Sequence, residues 1–228
     1  MDAKKPTDYN RNEWELQEFF FFCVAVAGKK SDQTALKVQA LSEHIREMFV
    51  ENPFYEKVKP ETGIIHYLLG EEDEGNAGIE LLKEFKFGKY RQWKKFIKWF
   101  QDLKWYGLDF EKRTIGDWLR NADIEKLEWI PSVGKKTSRF FKLHTDPKAT
   151  CIPLDTHILK FIRSHFRSEE AMIKRLGEVV PKTTPQSPYT YQFFENRAGE
   201  FMQAFMKRNY LKTLAEADLA IWKSYAYK

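Results

Sequence analysis

Apolar residues recur along this chain at helical spacing, and no run shows the repeated alternation of a half-buried strand. The segment 12–27 becomes apolar nearly all round from Phe19 to Ala27, which predicts a helix sunk deep in a core. Gly28 and the polar Lys29-Lys30-Ser31-Asp32 stop it. Ser31 or Asp32 can cap a second helix over 33–49, carried by Leu36, Ala40, Leu41, Met48 and Phe49. Pro53 and Pro60 bracket an irregular connection. The short apolar segment 64–69 ends at Gly70, before the acidic run Glu71 to Glu74, which reads as a solvated loop rather than a metal site. Short helices are expected over 79–85 and over 115–119, the latter capped by Thr114. Between them, 90–106 is long, basic and aromatic. Its Trp93, Phe96, Ile97 and Phe100 share one helical face, and Arg91, Lys94, Lys95 and Lys98 lie around the rest.

Toward the middle of the chain the pattern tightens. The segment 122–129 is a short amphipathic helix with Leu127 and Ile130 as apolar anchors. Pro131-Ser132-Val133-Gly134 breaks it, and helical spacing resumes over 135–143. Asp155 follows a short apolar stretch and is placed to cap a helix over 155–165. Further helices are expected over 169–180, 193–210 and 214–225, with a Pro/Thr/Ser-rich loop over 181–188. The whole reads as an all-α protein of ten to twelve short helices without internal repeats.

Composition narrows the class. Among 228 residues, 43% are hydrophobic and 16% aromatic, enough for a packed core and too much for a disordered chain. Lys and Arg number 38 against 33 Asp and Glu, a net charge of +5 that suits a nucleic-acid partner without requiring one. Cys23 and Cys151 are the only cysteines. They build neither a four-cysteine zinc or iron–sulfur site nor a secreted disulfide framework, and Cys23 reads as a small buried hydrophobe. The opening residues lack a signal-peptide pattern, and the apolar run 19–27 is too short to cross a bilayer. A reducing, soluble compartment is expected: the cytoplasm around the nucleoid, or the nucleus in a eukaryote.

The stretch 130–161 carries the candidate chemistry. Two helices joined by a turn with free backbone amides make a seat for a phosphate, because unpaired N-terminal N–H groups attract anions. Lys135, Lys136, Arg139 and Lys142 add positive charge around it. Taken alone, Lys136 is better explained by an ordinary phosphate contact, and Asp155 reads as a plain helix cap, a role that can coexist with a catalytic one.

The same stretch resembles the signature of the helix-hairpin-helix DNA glycosylases, the endonuclease III superfamily. That signature is a hairpin of the form L/I-P-G-V-G-x-K-T followed by V/L-D-T-H. Here these are Ile130-Pro131-Ser132-Val133-Gly134-Lys135-Lys136-Thr137 and Leu154-Asp155-Thr156-His157. The resemblance implies a two-lobed helix-hairpin-helix glycosylase fold, with 1–50 plus 165–228 in one lobe and 51–164, including the hairpin at 123–144, in the other. It implies that Lys136 is the Schiff-base nucleophile and Asp155 the essential carboxylate. Ser132, Val133, Gly134, Lys135, Thr137, Arg139 and His157 are then expected at the DNA. Ser132 departs from the family's usual glycine. The family's four-cysteine cluster is also missing, so no iron and no other cofactor is expected.

Two weaker likenesses point to the compact 8-oxoguanine glycosylases of archaea and some bacteria. One is the segment from Phe22 to Gly28 with Gln33 and Gln39 beyond. The other is Leu214 to Trp222 with the terminal Lys228. On that likeness Phe22, Gln33, Phe194, Asp218, Trp222 and Lys228 are candidates for the pocket of the extruded base, although Phe22, Phe194 and Trp222 also suit a simple core. Residues 49–106 match nothing in the family. The implied function is excision of 8-oxoguanine from damaged duplex DNA by a monomer, with strand cleavage by β-elimination. Two alternatives stay open: a glycosylase for oxidised pyrimidines or another modified base, and a non-enzymatic hairpin module that only binds DNA.

Overall fold

The computed structural model describes residues 6–51, 63–70, 77–105, 114–166 and 180–226. All regular structure there is helical, which agrees with the all-α expectation. In chain order the helices are α1 (Glu13–Ala25), α2 (Ser31–Glu51), α3 (Gly63–Leu69), α4 (Ala77–Glu84), α5 (Tyr90–Trp105), α6 (Ile115–Asn121), α7 (Ile124–Glu128), α8 (Lys135–Thr145), α9 (Thr156–Phe166), α10 (Pro188–Asn209) and α11 (Leu214–Ala226). The expected helix over 169–180 and the acidic run Glu71 to Glu74 lie outside the described residues. No described helix is long and apolar enough to cross a membrane.

The chain gathers into two compact units, Met1–Gly134 and Lys135–Lys228. This division follows chain order.

In the first unit everything is built around α1. Asn12 opens it with a capping box: its side chain accepts from Glu15 N, and the Glu15 carboxylate accepts from Asn12 N. From there Phe19, Phe20 and Phe21 are fully buried. Phe21 stacks on Trp93 with centroids 4.7 Å apart and meets Phe87 edge-on at 5.3 Å. Trp93, Phe96, Ile97 and Phe100 form the buried face of α5, as the spacing predicts. Burying each such side chain is worth about 1.5–3 kcal/mol.

A helix buried this completely must find uses for its polar side chains. Glu13 accepts from Gly116 N at 2.6 Å and from Thr114 Oγ1 at 2.7 Å, so it caps the start of α6. Gln17 Oε1 accepts from Ile65 N at 3.1 Å and His66 N at 3.2 Å, capping α3 in the same way. Farther along, Trp14 Nε1 donates to Ser42 Oγ, which donates to Glu18 Oε2, tying α1 to α2. The buried polar residues of α1 thus orient three neighbouring helices.

The second unit comprises α8 to α11. Ile158, Leu159, Phe161 and Ile162 of α9 pack with Tyr191, Phe194, Ala198 and Met202 of α10 and with Ala217 and Ile221 of α11. Tyr210, in the left-handed conformation at φ 56°, ends α10.

Gly78 tests the packing of α4 on α3. A methyl at this position would sit 2.3 Å from the Leu68 carbonyl oxygen, which is backbone and cannot swing aside. We expect Gly78→Ala to lower unfolding stability by about 1–3 kcal/mol in urea titration. Gly134→Ala, where the methyl would meet nothing within 4 Å, should stay within about 0.5 kcal/mol of the parent.

Candidate active site

The hairpin turn is formed by Ile130 to Val133 and closed by a hydrogen bond from Val133 N to Ile130 O at 3.0 Å. Pro131 occupies its second position and Ser132, at φ 75°, its third. This is the type II arrangement, in which the third residue is left-handed and glycine is favoured. Ser132 therefore keeps the glycine conformation at a cost of roughly 1–2 kcal/mol. Ile130 and Val133 are buried and anchor the turn, whereas Ser132 and Gly134 are exposed.

The second unit begins with α8, which carries Lys136 in its first turn. Asp155 stands just before α9 and caps it, its Oδ1 accepting from His157 N at 2.8 Å and Ile158 N at 2.9 Å. The other carboxylate oxygen, Oδ2, lies 3.9 Å from Lys136 Nζ. The capping reading and the catalytic reading of Asp155 thus use different oxygens of one carboxylate. The Lys136 side chain is 46% exposed and that of Asp155 is 17% exposed. The amine is open to a substrate from solvent, while the carboxylate beside it is sheltered and fixed.

Three further groups surround the pair. Asp218 on α11 is buried, with Oδ2 3.3 Å from Nε2 of His144, which is wholly buried on α8. Burial pushes the Asp218 carboxyl above the usual aspartate range; the His144 contact opposes this, the nearby Asp155 charge adds to it, and Lys136 opposes it more weakly. Trp222, one turn beyond Asp218, lies with its ring 6.1 Å from that of His157. His157 Nδ1 is buried without a hydrogen-bond partner. Phe140, one turn after Lys136, meets His144 edge-on at 4.5 Å. Lys136, Asp155, His157, Asp218 and Trp222, far apart in sequence, therefore belong to one cluster.

No family model, curated protein or solved structure matches this chain.

Other candidates fall elsewhere. Phe22 is 3% exposed and packs on Phe19, and Phe194 is 1% exposed inside the second core. Both are core residues, because their rings are closed off from any base. Arg139 Nε bonds both oxygens of Glu195 at 2.9 and 3.0 Å, and its guanidinium lies 4.4 Å over the Tyr191 ring. With its side chain 12% exposed, it is an internal strut rather than a surface cation for DNA. Gln33 is exposed near the start of α2 in the first unit. Lys135 and Thr137 are half-buried in the first turn of α8, and Lys228 lies outside the described residues. Among the described residues, no group of three or more His, Cys, Asp or Glu side chains is arranged to hold a metal ion.

The sequence reading missed Glu195, Tyr191 and His144. Glu195 accepts from Ile152 N at 2.9 Å as well as from Arg139. The Tyr191 hydroxyl accepts from Leu154 N at 2.9 Å and donates to Ile152 O at 3.1 Å. Burial pushes its pKa up, which keeps it a neutral phenol able to do both. The only sequence signal for them was an acid and a histidine on otherwise apolar helix faces.

Two measurements follow from these contacts. Glu195→Ala leaves the Arg139 charge and the Ile152 amide buried without their acceptor. It should cost about 3–5 kcal/mol in urea unfolding. For Asp218, a folded pKa above the unfolded one means that the folded state binds the proton more tightly. Its contribution is then most favourable at low pH and is lost as pH rises from about 3.9 through the raised folded value. Unfolding free energies of the parent relative to Asp218→Asn, measured from about pH 4 to about pH 8, should fall with rising pH. A flat difference would refute the assignment.

Proposed function

We propose that this protein is a DNA glycosylase and AP lyase that removes 8-oxoguanine from duplex DNA through a Schiff base on Lys136. One observation carries the reading: the lysine and the aspartate singled out by their motifs stand 3.9 Å apart, at the starts of two separate helices. A module that only bound DNA would have no use for that approach.

A base inside a duplex hides its anomeric carbon, so it must first be extruded. As the C1′–N9 bond breaks, its electron pair leaves with the purine, which takes up a proton, and positive charge develops on the sugar. The sheltered Asp155 carboxylate stabilises that charge electrostatically. An amine attacks only when neutral, and Asp155 Oδ2 is placed to receive the proton that Lys136 gives up. Bond formation between Nζ and C1′ followed by ring opening yields the iminium. Loss of a C2′ proton then expels the 3′ phosphate by β-elimination. A primary amine is required for the iminium, and a guanidinium cannot replace it.

The choice of base rests on α11. A buried carboxyl at Asp218, beside the half-buried indole of Trp222 and close to Lys136 and Asp155, offers a hydrogen-bonding group and a flat apolar surface. An oxidised purine, which is planar and carries extra N–H donors, suits both.

Borohydride reduction during incubation with an 8-oxoguanine duplex should trap protein on DNA. Lys136→Ala should abolish trapping with duplex affinity largely kept, and Asp155→Asn should slow base release by about 10²–10³-fold. In a panel of otherwise identical duplexes bearing 8-oxoguanine, thymine glycol, uracil or a mismatch, 8-oxoguanine should be released fastest. Rapid release of a pyrimidine alone would move the protein to the oxidised-pyrimidine reading. Unchanged trapping by Lys136→Ala would assign another amine.

A further inference from the structure

A second positive cluster lies wholly within the first unit, on two loops that share their lysines. Lys29, just after α1, donates from Nζ to Phe87 O at 2.5 Å. In return Lys89, just before α5, donates to Ala27 O at 3.1 Å. Lys37 on α2 donates to Lys86 O at 2.9 Å. Each ammonium thus uses one of its three donors on a carbonyl oxygen, and among the described residues none of the three is bonded to a carboxylate. The loops hold costly conformations: Lys86 and Lys89 both have positive φ, at 55° and 52°. For a lysine that costs roughly 1–2 kcal/mol.

Between these loops opens a cleft of about 190 Å³ lined by Lys29, Lys89, Gln92, Trp93 and Ser132. That is room for roughly six waters. Burial, and then repulsion from Lys89 and Lys37, hold the Lys29 ammonium below the usual lysine range. Like charges gathered without acids among the described residues repel one another until an anion joins them. Phosphate oxygens supply both the opposite charge and acceptors for the remaining ammonium donors and the Gln92 amide that line the cleft.

We propose that Lys29, Lys37 and Lys89 form a binding site for one phosphate of the DNA backbone, separate from the amides of the hairpin turn. This rests on the reading of the protein as a DNA enzyme. Ser132, at the tip of the hairpin turn, lines the same cleft, so a strand lying on the turn passes directly over the lysines.

The test measures the affinity of the full chain for an undamaged duplex against salt concentration. Loss of one phosphate contact lowers the magnitude of the slope of log K on log salt by about 0.9. Lys29→Gln/Lys89→Gln should show that loss, and Lys29→Arg/Lys89→Arg should retain the parent slope. Lys83→Gln/Lys98→Gln removes the same charge from exposed ion pairs of this unit and should leave the slope within error. Because Lys29 and Lys89 also tie the loops together, Lys37→Gln, which removes a single exposed lysine, is the second reading and should reduce the slope in the same direction. A slope in both cluster variants equal to that of the Lys83/Lys98 control overturns the site. So does binding of inorganic phosphate that depends on the cluster while duplex affinity does not, which would assign it to free phosphate. Borohydride trapping at saturating DNA separates the two ideas: absent trapping with a reduced slope sinks the enzyme reading alone, and intact trapping with an unchanged slope sinks the phosphate site alone.

Discussion

The geometry of the Lys136–Asp155 pair depends on one buried carboxylate, Glu195. Lys136 belongs to α8 and Asp155 to the end of the linker that follows it, and both segments are fastened to α10. Glu195 takes Arg139 from α8 and the Ile152 amide from the linker, while Tyr191, one turn earlier on α10, holds the Leu154 amide and the Ile152 carbonyl. Thr184 Oγ1 donates to the Leu154 carbonyl at 2.8 Å, so the residue before Asp155 is held at both its amide and its carbonyl. A buried ion pair adds little net stability over an apolar replacement, since desolvation offsets the attraction. What it provides here is position: α8 and the linker after it are both held in register by α10.

A second consequence concerns charge. The cluster contains two carboxylates and a lysine within mutual influence, and their environments differ. Asp155 is sheltered, its side chain 17% exposed, and spends one oxygen on two backbone amides. Asp218 is buried, with His144 as its bonded partner, and burial favours its neutral form. Acids in different surroundings within one site can take different roles. On the proposed function, a carboxylate beside the lysine suits stabilisation of an electron-poor sugar, and a carboxyl that takes a proton more readily suits hydrogen bonding to a polar base. α8 and α11 shape the Asp218 environment together, because the His144 contact opposes the upward push of burial.

How much was legible in the sequence follows from which forces act locally. Helices with strong periodicity were readable: α5 buries the four predicted side chains and α1 begins within a residue of its expected start. Asp155 was readable as the cap of α9 because a helix-starting aspartate is a local pattern. Phe22 and Phe194 misled, since an aromatic side chain carries the same signature in a core and in a pocket. Arg139 misled for a related reason: a basic residue beside a hairpin looks like a phosphate contact until its carboxylate partner, 56 positions away, is known. Glu13, Gln17 and Glu195 were silent because their work is to cap or brace segments distant in sequence. Even the division into two units reflects long-range packing, which no local pattern records.

The hairpin shows how a departure from a pattern can leave the geometry intact. A serine in place of glycine suggests a reshaped turn, yet Ser132 holds the left-handed conformation at φ 75°, so the backbone keeps the path that glycine would have taken. The strain is borne by anchoring on both sides: Ile130 is 1% exposed and Val133 is 5% exposed, each worth about 1.5–3 kcal/mol of burial, against roughly 1–2 kcal/mol for the left-handed serine. Gly134 presents the opposite case. Its φ is not in the left-handed region, and a methyl there would touch nothing in the protein, so the fold itself makes no demand for glycine. What a bare backbone at an exposed turn offers is close approach from outside. The strained serine and the unconstrained glycine together leave this turn open to a ligand, held rigid by its core anchors rather than by its own conformational preference.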